Sequence, residues 1–267
     1  MLEIEWVLSF LLLGSFVGFM AGLLGIGGGA IMVPVLTSIF LLQGVAAENV
    51  VHLALGTSMA SIIVTSISSL RAHNAKGAVL WKVVRRMAAG IVTGSFLATF
   101  LASYLNSVYL AIFFALFMAY VSIQMFINKQ PKPGREPAGP AGLFAAGSGI
   151  GAISALVSIG GGSLTVPYLT WQNVDVKKAI GTSAAIGLPI SITATLGYLI
   201  NGWASSAPQS LTFGFIYLPA ALLISTASFF IAPYGAGLAH KLPVPLLKKV
   251  FSILLIILSI KMLFLVT

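Results

Sequence analysis

Two related stretches, LLGIGGGAIMVPVL from Leu23 to Leu36 and LVSIGGGSLTVPYL from Leu156 to Leu169, each set three adjacent glycines and a proline into apolar sequence. In a helix interior Gly costs about 1 kcal/mol and Pro about 3 kcal/mol relative to Ala. Such a stretch therefore ends one helix and starts another. A restarted helix presents unpaired N–H groups and the positive end of its dipole, which together attract anions. The glycines allow positive φ and let a ligand approach the backbone closely. Pro34 and Pro167 are expected near the first turn of the new helix, where a missing N–H does little harm. Three adjacent glycines occupy several helix faces and cannot all serve one packing seam, which favours a ligand-facing turn. Gly14, Gly18 and Gly22, by contrast, read as a small-residue contact between helices.

The triplet Gly-Thr-Ser occurs at Gly56 to Ser58 and again at Gly181 to Ser183. Hydroxyls in apolar sequence either donate to an oxyanion or bond their own backbone or a neighbouring helix, and both readings stand. His52 and His73 fall near segment ends, where an interfacial position is the default and proton sensing the alternative. Lys261, inside the last apolar run, either snorkels outward or attracts anions. The chain has no Cys, and its three His show neither HxxxH nor HExxH spacing. No thiol chemistry, metal site, cofactor or catalytic residue is therefore expected. Glu3, Glu5, Glu48, Glu136 and Asp175 all fall in termini or loops. Buried carboxylates are the usual proton relays and cation partners. Without them, glycine N–H groups and hydroxyls remain, a set that suits an anion.

These residues sit in a chain of 267 residues that is 58% hydrophobic and 7% charged, against about 25% charged in an ordinary soluble domain. The expectation is an all-α, multi-pass protein of the cell (inner) membrane, in contact with lipid. A net charge of +9 on so apolar a chain is better explained by loop topology than by nucleic-acid binding. The opening MLEIEW carries Glu3 and Glu5 where a secretory signal carries Lys or Arg, so the first apolar run is expected to stay as a membrane segment. Runs near the roughly 20 residues needed to span extend over Trp6 to Leu24, Val50 to Leu70, Ala88 to Leu105 and Val108 to Ile127. After a Pro-rich, basic linker at 128–140 come Ala141 to Ile159, Ile180 to Ile200, Leu211 to Ala232 and Leu246 to Val266. Shorter apolar pieces, Ala30 to Leu42 and Ser163 to Trp171, follow the two glycine clusters.

The halves 1–127 and 141–267 are copies. Gly27, Gly28, Gly29, Val33 and Pro34 match Gly160, Gly161, Gly162, Val166 and Pro167 at one constant offset. Gly56, Thr57 and Ser58 match Gly181, Thr182 and Ser183 at a shorter one, and VSIQMF lines up with LSIKML at a longer one. The loop RAHNAKGAVLWKVVRR has five Lys and Arg, whereas its counterpart NGWASSAPQS has none. Likewise QGVAAEN is acidic and QNVDVKK net basic, and YLNS is uncharged while HKLPVPLLKK has three lysines. Since basic loops stay in the cytoplasm, matching loops fall on opposite sides. The fold expected is two inverted-topology repeats, each a broken-helix hairpin followed by three transmembrane helices, with the linker in the cytoplasm and both termini outside.

The doubled GIGGGAIMVP and SIGGGSLTVP, each followed by GTS, resemble the signature of the sulfite exporter TauE/SafE family of membrane permeases, over nearly the whole chain. That resemblance implies a transporter of small sulfur-containing anions, such as sulfite or organosulfonates, usually moved outward. By the same resemblance the substrate-binding candidates are Gly27, Gly28, Gly29 and Pro34, Gly160, Gly161, Gly162 and Pro167, and Thr57, Ser58, Thr182 and Ser183, while Ser163 beside the second cluster is a further candidate. Alternating access at a site between the repeats would then move the anion. The partners implied are that anion and lipid, with a homo-oligomer left open. An anion channel, and a scaffold or sensor subunit that transports nothing, are the alternative readings.

Overall fold

The computed structural model describes residues 3–24, 28–127, 138–203, 211–239 and 244–266. The first half forms α1 (Ile4–Leu24), α2 (Gly29–Leu42), α3 (Ala47–Ala75), α4 (Trp81–Tyr104) and α5 (Ser107–Ile127). The second forms α6 (Pro140–Val157), α7 (Gly162–Trp171), α8 (Val176–Asn201), a two-stranded hairpin of β1 (Thr212–Phe213) and β2 (Ile216–Tyr217), then α9 (Leu218–Ala239) and α10 (Val244–Val266). Among the described residues seven helices are long and apolar enough to cross a membrane: α1, α3, α4, α5, α6, α8 and α9. The 23-residue α10 covers the remaining long apolar run. With exposed rows such as Leu97 and Leu101 on α4 or Leu116 and Ile123 on α5, this is a multi-pass membrane protein whose outer faces meet lipid.

Composition alone misplaces some helix boundaries. Leu211 to Tyr217 is apolar enough to read as part of a span, yet it turns back on itself at Gly214, φ 56°, and pairs Thr212 with Tyr217 and Phe213 with Ile216. Helix α9 therefore starts at Leu218 rather than Leu211. In the other direction α4 begins at Trp81, earlier than Ala88, because its basic first turns project Lys82, Arg85 and Arg86 to the surface.

Helices α3 and α8 form the centre: 78% of the apolar window of α3 and 56% of that of α8 are buried, against 33–44% for the other five spans. They pack on each other, α1 packs on α9, α4 on α6, and α5 on α10. Two of these seams are built on glycine. A Cβ at Gly14 would lie 2.6 Å from the Ile224 carbonyl oxygen and one at Gly18 2.5 Å from Ser228 Cα, so α1 and α9 meet backbone to backbone. Gly147 and Gly151 of α6 lie in the same way against Met87 and Ile91 of α4. Small residues at such seams gain dispersion contact where lipid offers no hydrophobic drive.

The short helices end alike. After α2, Gly44 is left-handed (φ 80°) and Val45 N–H donates to Phe40 at 2.9 Å; after α7, Asn173 is left-handed (φ 61°) and Val174 N–H donates to Leu169 at 3.0 Å. Both are helix C-caps of the left-handed kind. Asp175, a loop carboxylate by sequence, caps α8 by accepting the N–H groups of Lys177 and Lys178 at 3.0 and 3.3 Å. Nearby, Ala138 N–H donates to Gln172 Oε1 at 3.3 Å. The entry to α6 and the exit from α7 thus meet, and the α6–α7 hairpin returns to the side from which it starts. Its arms are unequal, about 27 Å for 18 residues and about 15 Å for 10 at 1.5 Å per residue.

Candidate functional site

Gly28 and Gly161, the matched middle glycines of the two clusters, are both left-handed, with φ 71° and 80°. Each is the residue before a helix, so α2 begins at Gly29 and α7 at Gly162, and neither start has a side-chain cap. Helical bonding opens with Leu164 and Thr165 N–H on the Gly161 carbonyl at 3.2 and 2.8 Å, matched by Ile31 and Met32 on Gly28 at 3.1 and 3.2 Å. Among the described residues the N–H groups of Gly160, Gly161, Gly162 and Ser163 have no acceptor. Gly27 lies outside the described residues.

The prolines lie deeper than expected. Each helix starts at the third glycine itself, so Pro34 and Pro167 are sixth in α2 and α7, in the second turn. Their missing N–H groups deprive the carbonyls of Ala30 and Ser163 of the usual donor four residues on. The two turns touch: a Cβ at Gly29 would collide with the carbonyl oxygen of Ser158. Ser158 is itself left-handed, φ 50° and ψ 48°, and its Oγ donates to the Leu55 carbonyl of α3 at 3.4 Å.

The Gly-Thr-Ser triplets are brought to the segment ahead of a helix in the opposite half. Thr57 Oγ1 accepts the Tyr217 N–H at 3.0 Å, and Thr182 Oγ1 accepts the Leu80 N–H at 3.0 Å. A Cβ at Gly56 would collide with the Phe215 carbonyl oxygen, and one at Gly181 with that of Ala78. Ala78 and Leu80 relate to Phe215 and Tyr217 by the offset that aligns VSIQMF with LSIKML. The same bracket is therefore made twice: glycine admits the strand's carbonyl and threonine holds its next N–H but one. The serines differ. Ser183 Oγ donates to its own helix at the Ile180 carbonyl, 2.8 Å away, whereas the buried Ser58 Oγ has no partner among the described residues.

Two hydroxyls beside the second turn are also unpartnered, those of Ser163 and Thr165. Thr165 is fully buried, and its Oγ1 lies 3.5 Å from the Cβ position of Gly161. Thr165 belongs to none of the repeated motifs; the signal that finds it is its match in the first half, Met32, which carries no hydroxyl. His52, buried, donates Nε2–H to the Ala102 carbonyl at 2.9 Å and stacks near Phe215, ring centroids 4.9 Å apart. It ties α3 to the end of α4. Lys261 points outward from α10, in keeping with snorkelling. Among the described residues no three His, Cys, Asp or Glu side chains cluster where they could hold a metal.

Comparison with known proteins places the chain. A family model described as "Sulfite exporter TauE/SafE" matches residues 10–262. A "Probable membrane transporter protein" of Haemophilus influenzae is 35% identical over 258 residues, which is 96% of this chain and 98% of that one. Another of that description from Methanocaldococcus jannaschii is 28% identical over 274 residues, 98% of each chain. No solved structure matches. A match to the family model over all but the ends, with a relative aligned from end to end, makes the chain a member of the sulfite exporter TauE/SafE family.

Proposed function

We propose that the protein is a membrane transporter that exports a small sulfur-containing anion, sulfite or an organosulfonate, by alternating access. The observation that carries this reading is the pair of left-handed glycine turns, Gly28 and Gly161, each feeding a helix N-terminus and touching through Gly29 and Ser158. Free N–H groups at helix N-termini stabilise an oxyanion without a buried cation to trap it. Broken helices at a repeat interface are where carriers of this architecture hold anionic groups. The family and its relatives' names supply the substrate class and the transport reading.

In this reading residues 1–127 and 141–267 are two inverted repeats joined by the linker 128–140. Reciprocal packing supports it, α1 on α9 and α6 on α4, as do the reciprocal brackets of Thr57 and Thr182. The loop charges supply the inversion. The two turns, Gly27 to Gly29 and Gly160 to Ser163, frame the site, with Ser58 and Ser183 at the flanking helices. Thr57 and Thr182 hold the segments that frame it, and Pro34 and Pro167 lie one turn in. The relatives' descriptions as membrane transporters favour transport over an enzymatic step.

The experiment is counterflow in proteoliposomes. Vesicles loaded with unlabelled sulfite should accumulate labelled sulfite transiently, with uptake that saturates. Linear, non-saturating flux without counterflow would make the protein a channel, and absence of flux with sulfite and methanesulfonate would remove the anion reading.

A further inference from the structure

The two turns match in sequence and differ in chemistry. Resting on the reading that an anion binds between the repeats, we propose that the second turn alone grips it, through the N–H groups of Gly160 to Ser163 and the hydroxyls of Ser163 and Thr165. The first turn is a packed strut against which the second is held.

The matched turns differ in their hydroxyls and in what packs on them. Where the second turn has Ser163 and Thr165, the first has Ala30 and Met32, at the offset that aligns the glycine clusters. Where α8 has Gly187, α3 has Ile62, at the offset that aligns the Gly-Thr-Ser triplets. The consequences are visible in the packing. Ile62 Cδ1 lies 3.0 Å from the Cβ position of Gly29, so an isoleucine covers the first turn, and Gly28, Gly29, Ala30 and Met32 are all buried. At the second turn Ile186 Cγ2 and Ile190 Cδ1 of α8 lie 3.5 and 2.9 Å from the Cβ position of Gly161, and Gly187 lets backbone approach backbone. Its Cβ position lies 2.6 Å from the Gly160 carbonyl oxygen and 3.3 Å from Ser66 Oγ of α3, and Gly160, Gly162 and Ser163 are only half-buried.

The unpartnered hydroxyls point to a ligand. A buried threonine in a helix normally bonds the carbonyl four residues back, as Thr37 does with Val33 at 2.8 Å and Thr170 with Val166 at 3.0 Å. Thr165 is as buried and does not bond Gly161; its hydroxyl and that of Ser163 have no partner. Buried polar atoms left unpaired are uncommon and call for an explanation. Here two hydroxyls and four consecutive N–H groups lie together at the start of a 10-residue helix. A ligand rich in acceptors can satisfy several of these donors at once, and a compact oxyanion such as sulfite or a sulfonate head group presents three oxygens to one side. A cation or a neutral apolar solute leaves every donor unpaired.

The test is isothermal titration of the full-length protein in detergent with sulfite, methanesulfonate and sulfate. Ser163→Ala and Thr165→Val, which keep the volume while removing the hydroxyl, should each weaken binding of the preferred anion about tenfold, the scale of one hydrogen bond to a charged group. Thr165→Ser should restore most of it, which separates the hydroxyl from packing should Thr165→Val melt early. Ala30→Ser, placing a hydroxyl at the matched position of the first turn, should leave affinity unchanged. If the unaltered protein binds one of the three anions and Ser163→Ala and Thr165→Val bind it equally well, the assignment to the second turn is overturned while the transport reading stands. A large change from Ala30→Ser would place ligand at the first turn and overturn the asymmetry. If the unaltered protein binds none of the three, the anion reading falls and the assignment with it.

Discussion

Replacing Thr57 or Thr182 by valine separates holding a loop from holding a ligand. The valine fills the same space but cannot accept a hydrogen bond. At Thr57 the N–H that loses its acceptor belongs to Tyr217, which is 4% exposed, so water has no route to replace it. Leaving a buried donor unsatisfied costs about 1–3 kcal/mol. At Thr182 the donor is Leu80 N–H in a partly buried setting, where water can substitute, and the loss is expected nearer the net worth of an ordinary hydrogen bond, about 0.5–1.5 kcal/mol. Thr57→Val should therefore be the more destabilising of the two. The brackets share no donor or acceptor, so the double variant should lose close to the sum, within about 0.5 kcal/mol. Thermal unfolding in detergent followed by circular dichroism gives the ranking, and sulfite titration of the folded fraction gives affinity. Thr57→Ser keeps the acceptor and should recover most of the lost stability. Unchanged melting in both valine variants, together with weakened sulfite binding, would show that these hydroxyls serve the ligand and that the bracket reasoning is wrong.

Two further outcomes are expected. Gly28→Ala and Gly161→Ala force a side chain into left-handed backbone, a strain of order 1–3 kcal/mol, and the methyl also collides with Val17 Cγ1 at Gly28 and meets Ile190 Cδ1 at 2.9 Å at Gly161. Both should lower flux per folded molecule, whereas Gly18→Ala, whose Cβ meets Ser228 Cα at 2.5 Å, should mainly lower melting temperature and yield; equal flux per folded molecule in all three would move the site away from the turns. Single cysteines at Glu48 and Lys177, exposed residues just inside α3 and α8, should react with an impermeant thiol reagent from opposite sides of the membrane, since the chain carries no other cysteine; labelling from one side would remove the inversion.

The turns were legible because they break a local rule. Gly and Pro in apolar sequence announce a helix boundary, and the helices do start at Gly29 and Gly162. The small-residue seam at Gly14 and Gly18 was legible for a related reason, since a stripe without side chains needs a backbone to meet, and α9 provides it. The hairpin at Thr212 to Tyr217 was not: short apolar runs carry no periodicity that separates strand from helix, and Gly214 alone was too weak a mark. Nor was the bracket legible, because the partners of Gly56, Thr57, Gly181 and Thr182 are backbone carbonyls and N–H groups, which every residue but proline supplies in full. What could be read was only that both copies keep the triplet.

That limit suggests how the duplicated chain is best interpreted. Where the copies agree and the structure repeats the contact, as at Thr57 with Tyr217 and Thr182 with Leu80, agreement reflects a shared means of joining the halves. On the proposed reading, an anion crossing between the halves does not require equal contacts from each. Ligand chemistry can then concentrate where the copies depart from each other while their backbone stays the same. Ser163 against Ala30, Thr165 against Met32 and Gly187 against Ile62 are such departures around turns whose middle glycines differ in φ by only a few degrees, 71° and 80°. The common backbone supplies the free N–H groups; the departures at Ser163 and Thr165 add two unpartnered hydroxyls to the second turn.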